Sequence, residues 1–472
     1  MSFSSFEYLL FLPIVFLAYW YLCPTLRAKN ALVVVASYFF YGWWDWRFTL
    51  LLALTTLLSY GGGLAEAKWR EQEGRAKAAM WVVVGINLGI LGVFKYYNFF
   101  ADSTRLLFAR LGWAQPSLPL LEIILPVGIS FYTFQALSYV IDVRRGRLQP
   151  TRDVLAFFAY LSFFPQLVAG PIERATHLLP QFLGPRRFNY AQAVSGMRQM
   201  LWGFFKKVVV ADGCAEGVNA IFADYQHMNS ATLLMGIALF SVQIYGDFSG
   251  YSDIAIGTAR LFGIDLMQNF RLPYFARSIS DFWRRWHISL MTWLRDYVYI
   301  PLGGSREGTW RHLRNTLLVF LCSGLWHGAA WTFVLWGLYH ALLFAPRILL
   351  GRQRVERASA SALRKIGQTL RTFSLVAAGW LLFRSPTLSD AMQYAAGIFS
   401  RWSFAMPAYG KTMMPLVVAM FAAEWLTRRY AHPLQAVAQW RSSSLRLATY
   451  FALAAAILYH AGSDVQFIYF QF

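Results

Sequence analysis

Residues 280–305 read SDFWRRWHISLMTWLRDYVYIPLGGS, and residues 315–336 read NTLLVFLCSGLWHGAAWTFVLW. From Thr316 to Pro346 no side chain carries a formal charge, while Arg314 and Arg347 bound the run. A hydrocarbon core about 30 Å thick takes roughly twenty apolar residues at 1.5 Å each. A run of this length whose two flanking cations both belong on the cytoplasmic side must enter and return. Its middle, SGLWHGAAW, then lies deep in the bilayer, and the fold class follows: all-α and polytopic.

The composition agrees. Of 472 residues, 57% are hydrophobic, 18% aromatic and 14% charged, against about 25% charged in soluble proteins. Successive apolar runs replace discrete soluble cores, so the expectation is one integral membrane domain over 1–472, with an aromatic tail at 464–472. The net charge of +20 sits in short loops between apolar runs, as cytoplasmic loops require, and needs no nucleic acid. Cys23, Cys214 and Cys322 lack metal-ligand spacing, so neither a disulfide framework nor a metal site is indicated. Met1 is not followed by a basic segment or a small-residue cleavage signal, so the first apolar run reads as a spanning helix.

In chain order, Tyr8 to Leu26 spans, followed by Arg27 and Lys29, which puts the N-terminus outside. Ala31 to Trp44 and Phe48 to Ala65 flank the turn WWDWR and lead back to the basic loop KWREQEGRAK. Ala78 to Phe94 leads out, and Ile123 to Ile141 returns to DVRRGRLQPTRD. Val154 to Ile172 contains FFPQLVAGP and is expected to be broken or re-entrant, which at membrane depth requires burial in protein or a cavity wall. Tyr190 to Asp212 is mixed, and Tyr225 to Gly246 is a stronger span ending at DFSGYSDIAIG. Asp247 and Asp253 there either line a polar path, or pair with nearby arginines or cap a helix at the interface. Thr372 to Phe383, Thr412 to Ala423 and Leu447 to Ser463 complete about eleven crossings and leave the C-terminus outside.

A helix beginning at Ser280 would place Trp283, Trp286, His287, Leu290, Leu294 and Tyr297 on one face and Arg284, Arg285 and Arg295 on the other. His287 thus faces apolar surroundings while the arginines meet water, phosphate or headgroups. It is either a substrate-contacting group or part of an interfacial anchor. His327 lies at the middle of the uncharged run, between Gly324 and Gly328. A histidine at that depth needs a partner; it is either a hydrogen-bonded packing residue or the side chain that moves a proton near neutral pH. Transfer of an acyl group from a thioester to a hydroxyl would use such a base, with arginines holding donor phosphates. Cys322 and Ser323 lie nearby but in no nucleophile turn, and His340 reads as a packing residue.

DFWRRWHISLMTWLRDYVYIPLGGS, SGLWHGAAW, DFSGYSDIAIG, FFPQLVAGP and the ending FIYFQF together resemble the membrane-bound O-acyltransferases. The likeness runs from Phe3 to Phe472 and is strongest to bacterial members that O-acetylate alginate, with similar members serving cellulose and peptidoglycan. The resemblance implies a ring of helices, some broken or re-entrant, around a central funnel in the bacterial inner membrane. It implies catalytic His327 and His287, donor-binding Arg284, Arg285 and Trp286, and a funnel lined by Asp247, Tyr251, Asp253 and Trp326. The implied donor is acetyl-CoA, with no permanently bound cofactor. The implied partners are a periplasmic SGNH-type acetyltransferase or acetyl-carrier protein and an exported polysaccharide. By likeness to a teichoic acid D-alanylation system, Tyr469 is a candidate acyl relay, or else the aromatic tail seals the tunnel or docks the partner. A transporter of polymer or anions, and a scaffold recruiting periplasmic enzymes, are the competing readings.

Overall fold

A computed structural model describes residues 1–351, 361–403, 405–462 and 467–468. Among these residues the regular structure is helical throughout, as expected. The chain divides into two compact units, Met1–Gly196 with Ala255–Met267, and Met197–Ile254 with Gln268–Phe472. In the first, α1 (Phe6–Leu17), α2 (Leu26–Gly42), α3 (Arg47–Lys68), α4 (Glu73–Leu91) and α5 (Tyr97–Arg110) precede α6 (Ile129–Arg144). The α2–α3 pair meets at the tryptophan turn, with Trp43, Trp44 and Trp46 exposed, as the sequence predicts. Residues 154–172 are broken, also as predicted: α7 (Val154–Ser162) stops at Phe163, whose ψ of 108° leaves the helical region, and α8 (Phe164–Leu167) is a single turn.

After α8, Glu173 is fully buried and accepts from His177 Nδ1 at 2.8 Å within α9 (Ala175–Leu183). Burial pushes the Glu173 carboxyl up, and the hydrogen bond to Glu173 raises the His177 imidazole, with the nearby Asp265 carboxylate adding to it. α10 (Tyr190–Phe204) and α12 (Ser230–Leu261) each run through both units, and α11 (Asp212–Ala223) lies between them in sequence. α12 is longer than the predicted span and carries both Asp247 and Asp253.

Within the second unit, the expected continuous helix from Ser280 does not form. α13 (Ile279–Trp283) is capped by Ser278 rather than Ser280, and α14 (Ile288–Leu294) starts anew after His287. The predicted apolar face is nevertheless buried at every position, and Arg284 and Arg295 are exposed. The predicted hairpin is present: α15 (Thr309–His327) and α16 (Trp331–Leu349) pack against each other across the turn 328–330. A Cβ on Gly324 would lie 2.2 Å from the Phe333 carbonyl oxygen, and one on Gly337 would lie 2.3 Å from that of Phe320, so glycine alone permits this approach. α17 (Ala362–Arg384), α18 (Leu388–Ser400), α19 (Met414–Leu426), α20 (Pro433–Val437) and α21 (Ser443–His460) complete the chain.

Among the described residues, four helical stretches are long and apolar enough to cross a bilayer: Arg47–Lys68, Glu73–Arg110, Ser230–Leu261 and Trp331–Leu349. The other predicted crossings fall on helices that are shorter, more polar or interrupted.

Candidate active site

The site is built in the second unit, where the hairpin turn delivers His327 and the break between α13 and α14 delivers His287. His327 is the last residue of α15 and is 4% exposed. Its ring lies 5.0 Å from Trp336, 5.2 Å from Phe383 and 5.1 Å from Trp326. His287 is 1% exposed, 6.4 Å from His327 ring to ring, with Trp326 at 5.3 Å. The two histidines that the sequence separates by forty residues therefore share one aromatic chamber.

His287 takes a left-handed backbone conformation, φ 44° and ψ 53°, which a non-glycine residue adopts only under constraint. The constraint is Asn269. Its backbone carbonyl accepts from Ile288 N–H at 2.9 Å, and its Oδ1 accepts from His287 Nδ1 at 3.1 Å, Ser289 Oγ at 2.9 Å and Ser289 N–H at 3.3 Å. An amide oxygen only accepts, so Nδ1 carries the proton and the neutral ring presents its lone pair at Nε2. That nitrogen is buried and has no hydrogen-bond partner among the described residues. Asn269 was not singled out from sequence; nothing in QNFRLPYF marks it, because its partners lie 18 to 20 residues downstream.

The α12 carboxylates do pair with cations, but with lysines rather than arginines. A π-helical turn at Phe205–Ala211 presents Lys206 and Lys207. Lys206 meets Asp253 at 2.6 Å and Glu424 at 3.8 Å, and Lys207 meets Asp247 and Asp212, each at 2.8 Å. Gln199 donates to Asp253 at 2.7 Å, and Tyr245 donates to Glu424 at 2.9 Å. Small residues make this network reachable: a Cβ on Gly250 would lie 2.7 Å from the Gly203 carbonyl oxygen, so α12 rides directly on the backbone that bears the lysines. The signal available in sequence was the Lys-Lys pair inside the apolar FFKKVVVA and the lone Glu424 of FAAEWL.

The tail reaches the same helix. Phe467 packs 4.6 Å from Tyr251 and 6.0 Å from Phe248, and the Ile468 N–H donates to Asp247 Oδ2 at 2.7 Å. Phe248 in turn stands edge-on to His287 at 4.7 Å. Tyr469 lies outside the described residues.

The arginine and tryptophan candidates are placed differently from one another. Arg284 is exposed, Arg285 pairs with Asp281 at 2.9 Å, and Trp286 is fully buried against Phe270, Phe282 and Trp380. Cys322 is on the exposed side of α15. His340 sits edge-on to Trp283 at 4.9 Å and packs on Trp336 at 4.8 Å.

Residues 149–356, which include both histidines and α12, match MBOAT, the membrane-bound O-acyltransferase family. The chain is also 38% identical to the probable alginate O-acetylase AlgI of Pseudomonas putida, with 100% of each chain covered. The chain belongs to the membrane-bound O-acyltransferase family. It is 36% identical to a peptidoglycan O-acetyltransferase of Helicobacter pylori over 82% of this chain and 77% of that one. A teichoic acid D-alanyltransferase of Bacillus subtilis is 29% identical over 48% of this chain and 60% of its own. This membrane-bound O-acyltransferase is thus a membrane-embedded enzyme.

Proposed function

We propose that this acyltransferase takes an acetyl group from acetyl-CoA on the cytoplasmic side of the bacterial inner membrane. It passes the group to the periplasmic side, for O-acetylation of an exported polysaccharide such as alginate or cellulose. Relatives bearing the names alginate O-acetylase and peptidoglycan O-acetyltransferase support acetyl transfer to a cell-surface polymer. The observation that carries the mechanistic reading is the convergence on one chamber of His327, His287 and an α12 surface that already holds the chain's own tail.

In this reading the phenol oxygen of Tyr469 attacks the thioester carbonyl. His327 takes the phenol proton as the C–O bond forms and returns it to the sulfur as the C–S bond breaks, releasing the free thiol. The two rings lie 6.4 Å apart, centroid to centroid, close enough for an oxygen set beside them to turn its hydrogen bond from one imidazole to the other. The hydroxyl has one proton to give: His287 Nε2 accepts it as a hydrogen bond while the phenol enters and is oriented, and His327 accepts it in turn as the C–O bond forms. Arg284 and Arg285, on the polar side of the broken helix, bind the donor's phosphates beside Trp286, and Tyr251, Asp253 and Trp326 line the path. The acetyl ester then passes to a periplasmic SGNH-type acetyltransferase or acetyl-carrier protein, with both chain termini on that side.

The test supplies radiolabelled acetyl-CoA to the purified protein and locates label by peptide mass spectrometry in wild type, His327→Ala and Tyr469→Phe. Label on Tyr469 that is missing from both variants supports the reading. Label that reaches an added acceptor through His327 without visiting Tyr469 keeps the enzyme and removes the relay. No His327-dependent transfer, with the periplasmic partner present, overturns the proposed chemistry.

A further inference from the structure

Asp247 faces two ways. Its Oδ1 is held by Lys207 at 2.8 Å, and its Oδ2 accepts the Ile468 backbone N–H at 2.7 Å. Lys207 is itself tied to Asp212 at 2.8 Å, and all three side chains are buried. The residue before the bond, Phe467, is fixed separately by the rings of Tyr251 and Phe248. Burying two lysines with four carboxylates costs stability unless every charge is met, so a network aimed at a tail amide calls for a reason beyond folding.

We infer that the Lys207–Asp247 pair is a backbone clamp that sets the register of the C-terminal tail against α12, beside the histidine chamber. The inference rests on the acyl-acceptor reading of the tail for its purpose, but not for its geometry. Three features point to register rather than general packing. The bond is to a main-chain N–H, so it specifies a position along the tail whatever side chain sits there. Lys207 occupies one carboxylate oxygen and leaves the other aimed at the tail. Phe467 is held on its own by Tyr251 and Phe248, so two successive tail residues are fixed by independent contacts. Asp247 and Lys207 are therefore positioning residues that deliver the acceptor and take no part in the chemistry at His327.

The clamp is tested on the full-length protein in lipid nanodiscs by hydrogen–deuterium exchange of the Ile468 amide. Asp247→Ala is expected to speed that exchange roughly ten- to hundredfold, the span of a lost hydrogen bond to a charged acceptor. Asp253→Ala cuts the neighbouring Lys206 pair and is expected to leave the Ile468 amide protected. Ile468→Pro removes the donor while leaving the lysine–carboxylate network in place. It is expected to lower kcat for acetylation of Tyr469 without raising KM for acetyl-CoA, and adding Asp247→Ala to it should lower kcat no further. Unchanged Ile468 exchange in Asp247→Ala, equal loss of protection in Asp253→Ala, or full kcat in Ile468→Pro would overturn the clamp. Protection that depends on Asp247 in a wild-type protein never labelled at Tyr469 would uphold the clamp and remove the acyl-acceptor reading.

Discussion

Replacing Asn269 by alanine tests how His287 is prepared for its role. The substitution removes one amide oxygen that accepts from His287 Nδ1, Ser289 Oγ and Ser289 N–H, at 3.1, 2.9 and 3.3 Å. The Ile288 N–H bond to the Asn269 main chain survives, so the left-handed turn at His287 is weakened rather than abolished. The ring loses the bond that keeps its proton on Nδ1, and the two tautomers then compete. Leaving a buried neutral donor unsatisfied costs about 1–3 kcal/mol. Expressed at the transition state, that is roughly five- to hundredfold in rate. The assay is kcat for acetyl transfer from acetyl-CoA in nanodiscs, for Asn269→Ala, His287→Ala and the double variant. If Asn269 acts through His287, the double variant is no slower than His287→Ala. Activity in Asn269→Ala within twofold of wild type, or losses that multiply in the double variant, would refute the reasoning.

His327→Ala is expected to lower kcat by roughly 10²–10⁴, the range for a general base, with KM for acetyl-CoA little changed; a large KM effect with kcat preserved would make His327 a binding residue. Gly324→Ala forces a Cβ to within 2.2 Å of the Phe333 carbonyl oxygen and should destabilise the hairpin by about 1–3 kcal/mol, read as a lower Tm. The Glu173–His177 pair predicts a pH dependence of stability. His177 is raised above its ordinary value, so its contribution is complete below about 6.5, its unfolded value, and is lost as pH rises through the raised folded value. Glu173, raised by burial, acts in the same direction, because the folded state holds the extra proton. The Tm gap between wild type and His177→Gln should therefore be widest at acidic pH and close on the alkaline side; a gap that widens with pH contradicts the pairing.

The hairpin of α15 and α16 was legible because charge at both ends of an apolar run forces a return, and the glycines that allow the crossing are visible in sequence. The broken helix at FFPQLVAGP was legible for the same local reason, its prolines and glycine. Periodicity correctly buried Trp283, Trp286, His287, Leu290, Leu294 and Tyr297, yet it misjudged the helix that carries them. The break at His287 comes from hydrogen bonds to Asn269, and a pairing across 18 residues of chain leaves no period to detect. The carboxylates of DFSGYSD are visibly costly in an apolar stretch, but their partners are not visible there. Lys206 and Lys207 stand out as a charged pair in an apolar segment, but only the backbone-to-backbone approach of Gly203 and Gly250 shows why they meet Asp253 and Asp247. The tail's aromatic residues are plain in FIYFQF, whereas its grip on Asp247 runs through a backbone amide that no side-chain pattern encodes.

The central claim is vectorial acetyl transfer through His327, and sealed proteoliposomes of uniform orientation test it most directly. Radiolabelled acetyl-CoA is supplied only on the cytoplasmic face and a periplasmic acetyl acceptor only on the other. The account predicts covalent label on the enclosed acceptor with wild-type protein and none with His327→Ala, while unlabelled coenzyme A thiol accumulates on the donor side. Label crossing as free acetate or intact acetyl-CoA, at equal rates with and without His327, would contradict it and identify a transporter.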